Sequence, residues 1–159
     1  MRIGIGYDIH RFGPGRTLVL GGVVLPGETG LVGHSDADVV LHAVIDALLG
    51  AAALGDIGTH FPADEPEWKN AHSAVLLERT LALVRDAAYA VENIDVTVIA
   101  EKPRLAPHVA ALRARMAELI GISEAAVSVK ATTNEGIGDI GRGEAIAAVA
   151  VVLLDGAAS

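Results

Sequence analysis

Ala145-Ile146-Ala147-Ala148-Val149-Ala150-Val151-Val152-Leu153-Leu154 is apolar at every position and shows no alternation. Read as a strand, it must be covered on both faces, by a helix on one side and by another subunit on the other. An alanine-rich buried helix is the competing reading, and periodicity alone does not separate the two. The β-branched residues favour the strand. Upstream, Arg2 to Tyr7 and Leu18 to Leu25 read as strands joined by a turn at Gly13-Pro14-Gly15. Ser35-Asp36-Ala37-Asp38 reads as a helix N-terminus, with Ser35 and Asp38 at capping-box spacing. Val39 to Leu54 follows as a buried helix, ended by Gly55-Asp56-Ile57-Gly58.

Beyond a polar loop from Thr59 to Ala71, Ser73 to Ala88 reads as a second helix, amphipathic through Val75, Leu76, Leu77, Leu81 and Val84. Val91 to Ala100 is a strand candidate. Pro107 suits the first turn of a third helix ending near Gly121. Ser128 to Thr133 is a further strand. No repeat, low-complexity tract or linker interrupts the chain, so residues 1–159 are expected to form one α+β domain.

Composition narrows the function. The chain has 159 residues, 52% hydrophobic and only 3% aromatic, so its core must be built from Ala, Val, Leu and Ile. Such side chains bury little area each, which makes a subunit interface a natural supplement. The formal net charge is -8 and there is no basic run, which disfavours nucleic acid as a partner. There is no Cys, which excludes disulfides and thiolate metal sites. The N-terminus lacks the apolar stretch of a signal peptide, and the final apolar run is too short for a spanning helix. A cytoplasmic location and no membrane partner are expected.

Asp8 and His10 flank Ile9 where the first strand runs out, and a period of two points both to one face. An oxygen and an imidazole nitrogen there suit a borderline metal such as zinc. Asp38, His42 and Asp46 form one row along the first helix by their i, i+4, i+8 spacing. Three protein ligands with an open fourth position describe a catalytic zinc site. A blander reading makes Asp8 a turn cap and His42 a satisfied core histidine. His34-Ser35 opens the first helix, where free N–H groups favour an anion; simple capping by Ser35 is the alternative. Thr132-Thr133-Asn134-Glu135-Gly136 combines hydroxyls, a carboxylate and a glycine turn. That suits a phosphate held together with a Glu-bound Mg²⁺, or else a polar strand-to-turn junction.

Taken together, these strings resemble the 2-C-methyl-D-erythritol 2,4-cyclodiphosphate synthase family of the non-mevalonate isoprenoid pathway. The resemblance covers essentially the whole chain. It is sharpest at Gly6-Tyr7-Asp8-Ile9-His10, His34-Ser35-Asp36-Ala37-Asp38, and His42-Ala43-Val44-Ile45-Asp46-Ala47-Leu48-Leu49-Gly50. Leu54-Gly55-Asp56-Ile57-Gly58, Phe61-Pro62, Val129-Lys130-Ala131-Thr132-Thr133, Glu135 and Gly141-Arg142-Gly143-Glu144 extend it.

The resemblance implies a homotrimer whose subunits each have a four-stranded sheet with helices packed outside, and active sites between subunits. It implies Zn²⁺ on Asp8, His10 and His42, and Mg²⁺ or Mn²⁺ on Glu135. Asp8, Ile9, His10, His34, Ser35 and the Asp56-Ile57-Gly58 turn would hold the methylerythritol phosphate. The loop Phe61, Pro62, Ala63, Asp64, Glu65 would close over it. Ala100, Glu101, Lys102, Pro103, Arg104, Leu105 and Ala106 would form the cytidine pocket with Thr132 and Thr133, from the neighbouring subunit, and Asn134, Glu135 and Arg142 would also contact substrate. His34 and Thr133 would act catalytically by hydrogen bonding.

The implied reaction is a cyclisation in which the substrate's 2-phosphate attacks its β-phosphorus and expels CMP. Rival readings are a metal-dependent phosphohydrolase and a non-catalytic metal-containing trimer binding a nucleotide or terpenoid diphosphate. The chain departs from the family's common pattern at Ala63, where Asp is frequent, and at Asn134 and Gly136, where Thr and Lys are. Asp139 stands where an aromatic residue is common, beside Arg142 in an axial cavity that can hold a terpenoid diphosphate.

Overall fold

A computed structural model describes residues 1–33, 35–68 and 70–156. The apolar run at the C-terminus is a strand, β5 (Ala145–Gly156), and not a helix. It lies at the centre of a sheet of order β2-β1-β5-β3-β4, with β1 Arg2–Leu20, β2 Val23–Leu31, β3 Tyr89–Ile99 and β4 Val127–Thr132. β5 is antiparallel to β1 and β3, and β3 is parallel to β4.

The sheet therefore has five strands and not the expected four. The reason lies in β1, which changes partner along its length. Arg2 to Arg11 pair with β5, while Phe12 to Leu20 pair with β2 across register shifts around Thr17. The expected turn at Gly13-Pro14-Gly15 is absorbed inside β1 as this irregularity, with Gly15 at φ 85°. Chain reversal falls instead at Gly21-Gly22, whose φ values of 56° and 75° are the left-handed pair that a two-residue hairpin loop requires. The segment Leu18 to Leu25, expected as one strand, thus spans the hairpin.

Helix α1 (Val39–Ala52) starts where expected, but its cap is Asp38 and not a Ser35–Asp38 box. Asp38 Oδ1 accepts from Val40 N and Leu41 N, each at 3.1 Å, and from Gly21 N at 2.8 Å; Oδ2 accepts from Gly22 N at 2.7 Å. One buried carboxylate thereby fastens the hairpin loop to the helix start. A short helix α2 (Ile57–His60) follows. Helix α3 (Ser73–Asp86) buries Leu76, Leu77, Leu81 and Val84, while Val75, expected on that face, is exposed. A 3₁₀ turn at Ala106–His108 leads into α4 (Val109–Ile120), which Gly121 ends at φ 80°. A last helical turn, α5 (Gly138–Gly141), precedes β5.

Packing is set by the even-numbered face of β1. A methyl group added at Gly6 would lie 1.9 Å from Ala43 O, and one at Gly4 2.0 Å from Ala47 O. The Ala43-Ala47-Ala51 ridge of α1 is therefore seated on bare strand backbone, closer than any side chain would permit. Ile146, Ala148, Ala150, Val152, Ile94, Val96 and Val98 point to the same side and are fully buried. On the opposite face Ile3 is 71% exposed and Ile5 70%, with Tyr7 and Ile9 also exposed and Val149, Val151 and Leu153 half-buried. The helices thus cover one face of β5, and its other face is open in this chain. Among the described residues no helix is long and apolar enough to cross a membrane.

Gly6→Ala is expected to lower the unfolding free energy by about 3 kcal/mol, because it meets rigid helix backbone. Gly50→Ala meets open space in the same helix and should raise stability by about 0.5–1 kcal/mol. Urea unfolding of the two variants checks both signs.

Candidate metal centre and neighbouring cavities

Period-two alternation continues the Gly4-Gly6 face of β1 into Asp8 and His10. The seat of Ala43 on Gly6 brings His42, the preceding residue of α1, against them. His42 Nδ1 lies 2.8 Å from Asp8 Oδ2, His10 Nε2 lies 2.9 Å from the same oxygen, and the two nitrogens are 3.2 Å apart. Among the described residues this is the one group of three His, Asp or Glu side chains able to share a metal ion. Tetrahedral donors about 2.0–2.1 Å from zinc lie roughly 3.3 Å from one another, so a small outward adjustment would admit the ion.

Each imidazole is held from behind. His10 Nδ1 donates to Val32 O at 2.8 Å, which fixes the ring's orientation and turns Nε2 toward Asp8. His42 Nε2 has Ser35 Oγ and Ser73 Oγ both at 3.0 Å. The donor set and its fixed orientations fit a divalent cation.

Electrostatics follow from this packing. Burial opposes ionisation of Asp8, but hydrogen bonds from His10 and His42, together with their charges, outweigh it and hold the carboxyl well below the usual range. Burial likewise opposes charge on His10. The hydrogen bond and charge of Asp8, reinforced by Val32 O, nonetheless raise its pKa above 6.5.

The triad and Ser35 lie in a cleft of about 240 Å³ walled by Ile57, Gly58, Phe61, Ala63, Trp68 and Leu76. Phe61 and Trp68 meet edge to face, with centroids 5.1 Å apart. Asp56 caps α2 through Thr59 N at 2.8 Å and does not line the cleft; Ile57 N is tied to Asp46 Oδ1 at 2.8 Å. The row Asp38, His42, Asp46 is thus divided between a cap, a candidate ligand and a tether for α2. Pro62, Asp64 and Glu65 belong to the loop but lie outside the cleft lining, and Ile9 points its side chain to the open face. His34 lies outside the described residues.

A second cavity, about 390 Å³, is lined by Ala100, Glu101, Pro103, Arg104, Leu105 and Ala106 facing Ala131, Thr132 and Thr133. Lys102 stands outside this lining, near Gly143. Glu101 Oε1 accepts from Asn134 N at 3.0 Å and Gly136 N at 3.2 Å, bracketing Glu135, whose φ is 50°. Thr133 Oγ1 donates to Glu135 Oε1 at 3.0 Å. Arg142 lines neither cavity. Its guanidinium is engaged by Asp139 and by Glu144 Oε1, the latter at 2.9 Å, and Arg11 also reaches Asp139.

Ile9, Ala147, Ile99 and Thr132 form one row across the sheet. Three strand spacings put the triad's end of β1 about 14 Å from Thr132. The two groups therefore lie at the same end of the sheet but do not meet within one chain. Reading the sequence did not find Ser73, Trp68 or Leu76 in the site. Trp68 stands out in the sequence only as the sole tryptophan, and nothing local links Ser73 to His42.

A model of the YgbB family matches residues 1–155. The 2-C-methyl-D-erythritol 2,4-cyclodiphosphate synthase of Symbiobacterium thermophilum is 56% identical over 156 residues, covering 98% of this chain and 99% of that protein. A solved 2C-methyl-D-erythritol-2,4-cyclodiphosphate synthase in a CDP-bound form matches with TM-score 0.89 and 36% identity, over 97% of this chain and 100% of that one. The bifunctional IspDF of Campylobacter jejuni matches with TM-score 0.94 and 41% identity over 98% of this chain, which spans only 42% of that protein's length.

His42→Ala should abolish zinc retention at the triad, read by metal analysis after dialysis. The raised pKa of His10 favours its protonated form, so the Asp8–His10 pair stabilises the metal-free fold below pH 6.5 and that gain is lost as pH rises through the folded value. A cation needs the opposite state. Zinc affinity, measured by chelator competition, is expected to fall by about tenfold per pH unit below the His10 pKa; a flat profile from pH 8 to 5.5 would contradict this.

Proposed function

The chain belongs to the YgbB family, and on that premise we propose that it converts 4-diphosphocytidyl-2-C-methyl-D-erythritol 2-phosphate to 2-C-methyl-D-erythritol 2,4-cyclodiphosphate and CMP. The observation that carries this reading is the convergence of Asp8 Oδ2, His10 Nε2 and His42 Nδ1 in the cleft. In the reaction a 2-phosphate oxygen forms a bond to the β-phosphorus, and the bond from that phosphorus to the CMP oxygen breaks, the electron pair leaving with CMP. The nucleophile is already an anion, so no strong base is required of the protein. Positioning and charge neutralisation are its tasks.

Asp8, His10 and His42 would hold Zn²⁺, and Glu135 would hold Mg²⁺ or Mn²⁺. Divalent cations there supply Lewis-acid neutralisation of the diphosphate. Ser35 and its sequence neighbour His34 would anchor the methylerythritol phosphate. The apolar wall of Ile57, Phe61, Trp68 and Leu76 would exclude water from the phosphorus. Thr133 would donate to charge growing in the transition state. The cavity between Ala100–Ala106 and Thr132-Thr133 is the proposed cytidine pocket. Ala63 offers no polar group to a substrate hydroxyl. The anionic partners Asp139 and Glu144 around Arg142 weigh against a terpenoid diphosphate at the axis.

Homotrimer assembly is supported by two features. The open face of the sheet is apolar along β1 and β5. The triad's end of β1 stands three strand spacings, about 14 Å, from Thr132 of the second cavity, a gap that one substrate's adjacent phosphates would have to bridge within a single chain. A neighbouring copy that supplies the second cavity to the first chain's triad removes the difficulty.

Incubation with the cytidyl substrate, zinc and magnesium should yield CMP and the cyclic product by ³¹P NMR; intact substrate after prolonged incubation would overturn the assignment. Glu135→Gln is expected to cut turnover by at least tenfold with zinc retained and the dependence on added Mg²⁺ weakened. Leu153→Asp should shift the light-scattering mass below that of a trimer.

A further inference from the structure

The least expected contact in the molecule lies behind His42, and it depends on two residues that no part of the reaction scheme uses. Ser73, the first residue of α3, is fully buried, and its Oγ lies 3.0 Å from His42 Nε2. The same hydroxyl donates to Asp36 Oδ1, while Ser73 N donates to Asp36 Oδ2 at 3.1 Å. One carboxylate thus grips both polar groups of the serine. Asp36 is itself fixed, its own N–H bonded to Ala71 O at 3.1 Å and its Oδ1 accepting from Asp38 N at 3.3 Å. His72 Nδ1 stands 3.7 Å from Oδ2.

A hydroxyl has a single proton. With that proton committed to Asp36, the Ser73 oxygen offers only lone pairs to His42. We propose that Asp36 and Ser73 are positioning residues for the metal centre, Asp36 fixing the Ser73 hydroxyl as the acceptor of the His42 Nε2 proton so that the Nδ1 lone pair is aimed at the cation. The inference rests on the reading of the triad as a zinc site. Carboxylates commonly perform this service for metal-bound histidines by direct contact; here a serine is interposed. Ser35 Oγ also lies 3.0 Å from Nε2, but it accepts from Ala37 N at 3.1 Å and no carboxylate bonds its hydroxyl among the described residues. Its proton has the Ser73 Oγ lone pair as a partner at 3.4 Å.

The test is zinc titration of the full chain against a chromophoric chelator, comparing the parent with Ser73→Ala and Asp36→Asn. The dissociation constant should rise about 10–100-fold in both variants, with far-UV circular dichroism unchanged. In zinc-loaded, ¹⁵N-labelled parent protein the His42 Nε2–H should exchange slowly with water, and in Ser73→Ala that resonance should be lost to exchange. Variant affinities within twofold of the parent, or a resonance equally protected in Ser73→Ala, would overturn the relay while leaving the zinc reading intact. A parent chain that binds no zinc would sink both. Should the variants fail to fold, the parent decides alone: a His42 Nε2–H exchanging as fast as an exposed imidazole refutes the proposal.

Discussion

Ala43 and Ala47 of α1 resting on Gly6 and Gly4 of β1 is the contact on which the rest of the molecule depends. Because neither glycine carries a side chain, helix carbonyls sit where methyl groups would otherwise be. That closeness fixes the height and rotation of α1 over the sheet, and so brings His42 within hydrogen-bond distance of Asp8. A helix set farther out by side chains at these positions would leave three potential ligands on two separate elements. The candidate metal centre is thus a consequence of packing between the smallest residues in the chain.

Polar ties complete what the glycine seat begins. Asp38 joins the hairpin loop to the start of α1, Asp46 draws α2 toward the cleft, and Asp36 locks the start of α3 through both polar groups of Ser73. Each is a carboxylate satisfied by backbone N–H groups, so each holds a segment at a defined distance and not only by apolar contact. The cleft walls of Phe61 and Trp68 then close on a frame already set.

The single chain leaves two things unfinished. Its sheet exposes an apolar face, and its two cavities stand at one end of that sheet but apart from each other. The proposed trimer would meet both, since burying Ile3, Ile5, Leu153 and their neighbours would also bring another chain's cavity to the triad.

Much of this was written in the sequence. Asp8 and His10 share a face because strand geometry has a period of two, and the helix from Val39 was marked by its composition. Local signals failed where tertiary context chose between allowed conformations. Pro14-Gly15 signals a turn, yet pairing on both sides absorbs it into β1 and passes the reversal to Gly21-Gly22. Ser35 and Asp38 have cap-like spacing, yet only Asp38 lies where both the helix and the hairpin loop present their N–H groups. The sequence by itself determined the helices, the central strand and the chemistry of the candidate ligands, because those depend on residue type and short periods. Only the tertiary structure decided that Ser73 backs His42 and that Thr132 stands three strands from Ile9, because such contacts join residues far apart in the chain through the packing of whole elements.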